Sequence, residues 1–227
     1  MDWRGSRAAS RNRYVAKYDA AEVDRYDRWI LQLTREDDEA CLSDLRRVFQ
    51  FQAGMAVLDA GTGTGAFCKI LKDVPGLSIT ALDPSPVMLA KLRSKTELAD
   101  VTTVEGFCDG PEDRQLFREA QFQAIVSRQL VNGLFDPLTA FSNWHHWLSP
   151  GGAVVVLDGL FDRSAWTGVW QEEVDVLPIS ACGTTALTPY LLELAGFRVE
   201  AVEWMEATNE MPTTKTKRYM VVATKPA

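Results

Sequence analysis

The stretch Val57-Leu-Asp-Ala-Gly-Thr-Gly-Thr-Gly65 constrains this chain more than any other. A hydrophobic run from Met55 to Leu58 ends in Asp59, and glycines follow at alternate positions, Gly61, Gly63 and Gly65. Glycine tolerates positive φ and has no side chain, so such a loop turns sharply and lets a ligand approach its backbone. Residues Ala66 to Lys72 read as a helix, which aims an N-terminus with unpaired N–H groups into the same space. Strand, glycine loop and helix together make a nucleotide cradle.

The sequence around the loop repeats that unit. Apolar runs at Ala56–Ala60, Ser78–Asp83, Val101–Glu105, Ala124–Ser127 and Ala153–Asp158 read as strands. Helical stretches at Phe67–Asp73, Val87–Arg93, Gln115–Ala120 and Pro137–Leu148 alternate with them. Continuous apolar strands in that rhythm predict a parallel sheet covered on both faces. A helix over Thr188–Ala195, stopped by Gly196, precedes two further strands, Val199–Trp204 and Tyr219–Thr224, which suit an antiparallel pair closing the sheet edge. Upstream, Ala16, Ala20, Val23, Tyr26, Ile30 and Leu33 recur at helical spacing, and a second helix runs through Ala40, Leu45 and Phe49 with Asp37 and Asp38 as its caps.

The first 13 residues carry Arg4, Arg7, Arg11 and Arg13 with no apolar stretch behind them, which excludes a secretory signal and predicts a mobile, solvated arm. A helical lid or substrate cap is expected over 14–53. The ligand-binding domain follows over 54–227, with an insertion at 159–186. No apolar run approaches the roughly 20 residues of a membrane span, and a net charge of −7 argues against a nucleic-acid surface. The four cysteines, Cys41, Cys68, Cys108 and Cys182, lie far apart and read as free thiols of a cytoplasmic protein, with no metal site.

Two ligands fit the glycine loop. Gly61-Thr-Gly63-Thr-Gly65-Ala66 matches the dinucleotide fingerprint literally, which keeps an NAD(P)-dependent oxidoreductase open. Asp59 points elsewhere: a second negative charge is unwelcome beside a pyrophosphate but suits a ligand with a cationic amino group. The alternating glycines and the long helical segment before the first strand agree with that second reading.

Taken with its neighbours, the segment Leu58 to Gly65 resembles the first motif of the class I S-adenosylmethionine-dependent methyltransferases, in their small-molecule branch near the ubiquinone/menaquinone enzymes. Leu82-Asp83-Pro84-Ser-Pro-Val-Met88-Leu is similar to their second acidic landmark, and Val104-Glu-Gly-Phe107-Cys108-Asp109 to their third motif. Phe122 to Gln129 and Trp144 to Gly152 resemble the later motifs, so the likeness covers about residues 40–225. It implies a Rossmann-like, mostly parallel seven-stranded α/β sheet of order 3-2-1-4-5-7-6 with helices on both faces. It also implies S-adenosylmethionine bound by Asp59, Gly61, Thr62, Gly63, Gly65, Asp83, Pro84, Met88, Phe107, Cys108, Asp109 and Arg128. Asp83 would accept the ribose hydroxyls, and Phe107, Cys108 and Asp109 would frame the adenine, although the commonest form of that motif has Asp-Ala where this chain has Phe107-Cys108.

The acceptor side is expected from Tyr14 and Tyr18 in the lid, and from Trp166 and Trp170 in the insertion, which also carries the acidic run Glu172-Glu173-Val174-Asp175. Arg128 and Gln129, ending the fourth strand, are the candidate catalytic residues, acting by positioning. His145 and His146 lie on the helix before Pro150 and read as surface or packing residues, with Trp144 and Trp147 as core. The implied activity is methyl transfer to a small molecule by a monomer or homodimer. A catalytically silent protein that binds S-adenosylmethionine or S-adenosylhomocysteine for regulation is the other alternative.

Overall fold

The computed structural model describes residues 3–30, 32–167, 171 and 174–227. Three helices come first: α1 (Trp3–Lys17), α2 (Ala20–Ile30) and α3 (Arg35–Val48). The alternating part follows as β1 (Ala56–Ala60), α4 (Ala66–Leu71), β2 (Ser78–Asp83), α5 (Pro86–Arg93), β3 (Thr102–Glu105), β4 (Phe122–Arg128), α6 (Pro137–Trp147) and β5 (Leu148–Gly159). The chain ends with α7 (Leu187–Leu194), β6 (Arg198–Trp204), α8 (Glu206–Glu210) and β7 (Arg218–Thr224).

The seven strands form one sheet in the order β3-β2-β1-β4-β5-β7-β6, as the family resemblance implied. The first five are parallel, and β7 runs antiparallel between β5 and β6. Side chains alternate across a strand, so each central strand feeds two cores. Val57, Ala81, Val126 and Val155 pack on one face with Leu45 of α3 and Phe67 and Ile70 of α4. Leu58, Leu82, Ile125 and Val154 pack on the other with Phe141, Trp144 and Trp147 of α6. Both tryptophans are fully buried, while His145 packs its ring against Phe197 with centroids 5.1 Å apart.

The N-terminal region departs from expectation. Residues Trp3–Lys17 form a helix rather than a solvated arm, because Arg11 is drawn inward by three acids. The single long helix expected through Leu33 breaks at Tyr18-Asp19, where the Asp19 side chain accepts the Glu22 N–H at 2.8 Å and starts α2. The cap of α3 is Thr34, not Asp37 or Asp38. Asp37 is the third residue of a capping box, its carboxylate accepting the Thr34 N–H at 2.7 Å. α3 buries Cys41, Leu42 and Leu45 against the sheet. In place of the helix expected over Gln115–Ala120, a 3₁₀ segment spans Pro111–Leu116, started by Pro111 and by Asp113 capping the Gly110 N–H at 2.7 Å. Cys41, Cys68 and Cys108 are buried thiols, and Cys182 is half-buried.

Candidate active site

The carboxyl ends of β1, β2 and β4 open into a cavity of about 540 Å³, within the usual range for small-molecule sites. Open α/β sheets bind ligands at this end, where the order of connections reverses. Here that point lies between β1 and β4.

The glycine loop is built on β1 and laced to β2: Gly61 N–H and Thr62 N–H both donate to the Leu82 carbonyl, at 2.8 and 3.0 Å. Its three glycines do different work. Gly61 (φ +70) lies against Leu130, whose Cδ1 a Cβ would meet at 2.7 Å. Gly63 (φ +55) faces the cavity, the nearest atom to a Cβ being Tyr26 Cε1 at 3.9 Å. Gly65 (φ +87) precedes α4, and its Cβ would strike Leu98 Cδ1 at 2.6 Å and Leu92 Cγ at 2.9 Å. Gly65→Ala is therefore expected to cost about 2–4 kcal/mol from overpacking and left-handed strain, read as a lower urea midpoint. Gly63→Ala carries the strain alone, about 1 kcal/mol, yet fills ligand space and should weaken ligand binding more than Gly65→Ala does.

Asp83 closes β2 and is held between loop and helix. Its carboxylate accepts the Gly63 N–H at 2.8 Å and the Ser85 N–H at 2.9 Å, and it lines the cavity. Burial pushes its pKa up to about 6, against the opposing pull of the two N–H donors. Pro84, Met88, Phe107 and Cys108 line the same wall.

Asp59, Thr62 and Gly65, expected as ligand contacts, do not line the cavity. The Asp59 carboxylate turns under the loop, where it accepts from Thr62 Oγ1 at 2.7 Å and from Cys68 Sγ at 3.1 Å. Burial raises its pKa to about 6. Asp109 does line the cavity, but its oxygens are engaged by Arg11 and by the Phe135 N–H at 2.7 Å, so it builds the wall rather than offering a free carboxylate. The Arg11 guanidinium also bonds Asp113 and Glu112, each at 2.7 Å, and lies 4.4 Å over the Phe107 ring. Burial alone would depress the Arg11 pKa, and Asp109 and Asp113 more than offset it.

Tyr14 and Tyr18 line the cavity from the N-terminal helix and its end, 5.5 Å apart edge to face. Burial pushes the Tyr14 phenol up to about 12. Trp166 reaches the cavity from the insertion, its indole N–H donating to the Ser180 carbonyl at 2.9 Å. Trp170, Glu172 and Glu173 lie outside the described residues. Arg128 and Gln129 both face the cavity. Gln129 sits at φ +57, a left-handed conformation that non-glycine residues adopt mainly where surrounding structure enforces it, often at functional sites. Several cavity residues escaped the sequence reading, among them Tyr26 and Arg218. Tyr26 is a third tyrosine at the wall, and Arg218 arrives from β7. Because β7 is antiparallel, its first residue pairs with Gly159 at the carboxyl end of β5. An antiparallel last strand, already read from the sequence, was the signal that could have placed Arg218 there.

A family model described as Methyltransferase domain matches residues 33–202. The chain belongs to this methyltransferase domain family. Among curated relatives, it is similar to the demethylmenaquinone methyltransferase of Chlorobaculum tepidum, at 28% identity over 109 residues, 48% of this chain and 43% of that protein. It is also similar to phosphoethanolamine N-methyltransferase 1 of Triticum aestivum, at 28% over 116 residues, 47% of this chain and 21% of that one. The chain thus spans less than half the length of these relatives. Among solved structures, Haemonchus contortus phosphoethanolamine N-methyltransferase 2 in complex with S-adenosyl-L-methionine matches with a TM-score of 0.68 at 19% identity, covering 93% of this chain and 58% of that one. A structure of the complex between the Haloferax volcanii Trm112 methyltransferase activator and a methyltransferase gives 0.65 at 20% identity, covering 89% of this chain and 98% of that one. The methyltransferase domain of this chain therefore shares their Rossmann-like fold.

Proposed function

We propose that this protein transfers a methyl group from S-adenosylmethionine to a small-molecule acceptor. The observation that carries the reading is Asp83, a buried carboxylate at the end of β2 that faces the cavity while bonded to the Gly63 N–H. Each of its oxygens keeps a lone pair for a vicinal diol, and Gly63 beside it leaves open the space that any other residue would fill. Those features fit the nucleoside part of the cofactor. Pro84, Met88, Phe107 and Cys108 supply the wall for its base, while Asp59, Thr62 and Gly65 hold the loop's shape from beneath.

S-adenosylmethionine supplies a methyl on a sulfonium, already a good leaving group. The chain's own task is then to hold the acceptor in line and to exclude water. Helices α1 and α2 and the turn between them serve as the cap, through Tyr14, Tyr18 and Tyr26, and Trp166 joins the lining from the insertion. Arg128 and Gln129 position the acceptor. In this reading the enzyme works in the cytoplasm, as a monomer or homodimer, on a small-molecule acceptor, with no nucleic-acid or membrane partner; the net charge of −7 supports the first exclusion, and no helix among the described residues is long and apolar enough to cross a membrane.

A thermal-shift comparison tests the reading: S-adenosylhomocysteine should raise the melting temperature and NADH should not. The reverse result would establish the oxidoreductase alternative. Cofactor binding with no label transferred from methyl-labelled S-adenosylmethionine across a broad acceptor panel would favour a silent binding protein.

A pH dependence follows from Asp83. Only the ionised carboxylate offers its full set of acceptor sites, and the pKa near 6 places the change in weakly acidic solution. Affinity for S-adenosylhomocysteine should be constant above about pH 7 and fall by up to about tenfold per unit below pH 6. The group's own contribution to stability has the opposite sign. A carboxyl whose folded pKa is raised stabilises the fold below its unfolded pKa and loses that contribution as pH rises through 6. Calorimetric titrations from pH 5 to about 8 would settle it, and a flat profile would remove Asp83 from the binding site.

A further inference from the structure

Asp83 and its neighbours use one side of the cavity. On the other, Arg128 ends β4 and Arg218 begins β7, and both line the main cavity and the smaller one behind it. The Nη1 of Arg128 is buried with no hydrogen-bond partner. Among the described residues, no carboxylate comes within the 4.0 Å of an ion pair to either guanidinium.

Arg218 is held instead by neutral groups. With its amide turned to satisfy the network, the Gln129 carbonyl accepts from both Arg218 Nη atoms at 2.6 Å, and the guanidinium lies 5.4 Å from the centroid of the Phe161 ring. Gly159 makes room for it, since a Cβ there would meet Arg218 Nη1 at 2.8 Å. Burial lowers the Arg218 pKa; Asp158 pulls it back up, and the neighbouring Arg128 charge lowers it again. The carboxylates nearby are committed elsewhere. Asp158 accepts the Gly159 N–H at 2.7 Å and the Asn132 N–H at 3.2 Å, and Asp37 is tied to Thr34 and Thr213. Two half-buried guanidiniums on one wall repel each other, and a charge drawn out of water without a counter-charge is costly unless something pairs it.

We propose that Arg128 and Arg218 form an oxyanion seat for the acceptor: the molecule to be methylated carries a carboxylate or a phosphate monoester that binds across the two guanidiniums. Planar guanidinium forks match both groups. This rests on the methyl-transfer reading above and names the class of acceptor. The rest of the acceptor then extends toward Tyr14, Tyr18 and Tyr26.

The test is calorimetric titration of protein saturated with S-adenosylhomocysteine, using three probes: inorganic phosphate, benzoate, and benzamide as the neutral match to benzoate. It is run on the wild type and on Arg128→Gln and Arg218→Gln, with circular dichroism as the control for folding. One of the two anions should bind, phosphate indicating a monoester and benzoate a carboxylate. Benzamide should bind about tenfold or more weakly than benzoate, and each variant should lose about tenfold or more of the anion affinity. S-adenosylhomocysteine should bind the Arg218→Gln variant within about threefold of wild type. Equal binding of benzoate and benzamide where benzoate is the anion that binds, or no binding of either anion, overturns the seat without needing a variant. A parallel tenfold loss of S-adenosylhomocysteine affinity in Arg218→Gln also overturns it, by assigning the pair to the cofactor's own carboxylate. Failure of the underlying reading looks different: the wild type would not bind S-adenosylhomocysteine at all.

Discussion

Asp83→Asn is expected to weaken S-adenosylhomocysteine binding by about 10- to 100-fold while leaving the protein folded. Hydrogen bonds to a charged acceptor contribute about 1.5–3 kcal/mol each, and asparagine keeps the shape of the side chain while surrendering its charge and half its acceptor capacity. The Gly63 N–H and Ser85 N–H compete for the one remaining oxygen, so part of the effect comes through the loop. Calorimetry measures the affinity, and circular dichroism the fold. The substitution should also abolish the acid-side fall in affinity, because no titrating group is left at that position. Wild-type affinity in the variant would show that the second strand's acid does not meet the ligand.

The second large effect is expected at Arg11. Its guanidinium joins Asp109, Glu112 and Asp113, and two of those carboxylates are buried. Breaking a buried pair by removing one partner strands the other charge and costs about 3–5 kcal/mol. In Arg11→Met that cost falls on the docking of α1, since the three acids belong to the sheet domain and the arginine alone to the helix. Trypsin should cut within residues 3–17 far faster in the variant, with a smaller drop in the midpoint of global unfolding. S-adenosylhomocysteine affinity should fall as well, because α1 brings Tyr14 to the cavity and Arg11 lies over Phe107. Unaltered cleavage of that segment would mean that the helix is held by something other than this cluster.

The fold was legible because it is written in local pattern. Runs such as Ala124-Ile-Val-Ser127 and Ala153-Val-Val-Val-Leu-Asp158 are apolar on both faces, which only a doubly covered strand requires. Likewise, the glycine loop announced a strand–turn–helix unit. The cap of α3 was equally available: Thr34-Arg-Glu-Asp37 has the spacing of a capping box, and reading the aspartates alone missed it. What local pattern does not contain is the side of a loop on which a side chain ends. Asp59 and Asp83 both end strands within the same motif set, yet one turns under the loop onto Cys68 and the other opens to the cavity. Arg11 looked like one charge in a solvated run because its partner Asp109 is 98 positions away. Arg218 was passed over for a topological reason, since motifs of parallel sheets are read at strand ends and an antiparallel strand offers its beginning.

The placement of β7 between β5 and β6 bears on how the protein is made. A ribosome releases β6 before the strand that joins it to the sheet, so the growing chain carries an unpaired edge on β5 until residues 218–224 emerge. Exposed strand edges invite pairing with other chains, and seven residues close this one. Shortening the chain by its final ten positions would not trim a tail. It would take out an interior strand, leave β6 without a neighbour, and open the cavity on the side where Arg218 stands.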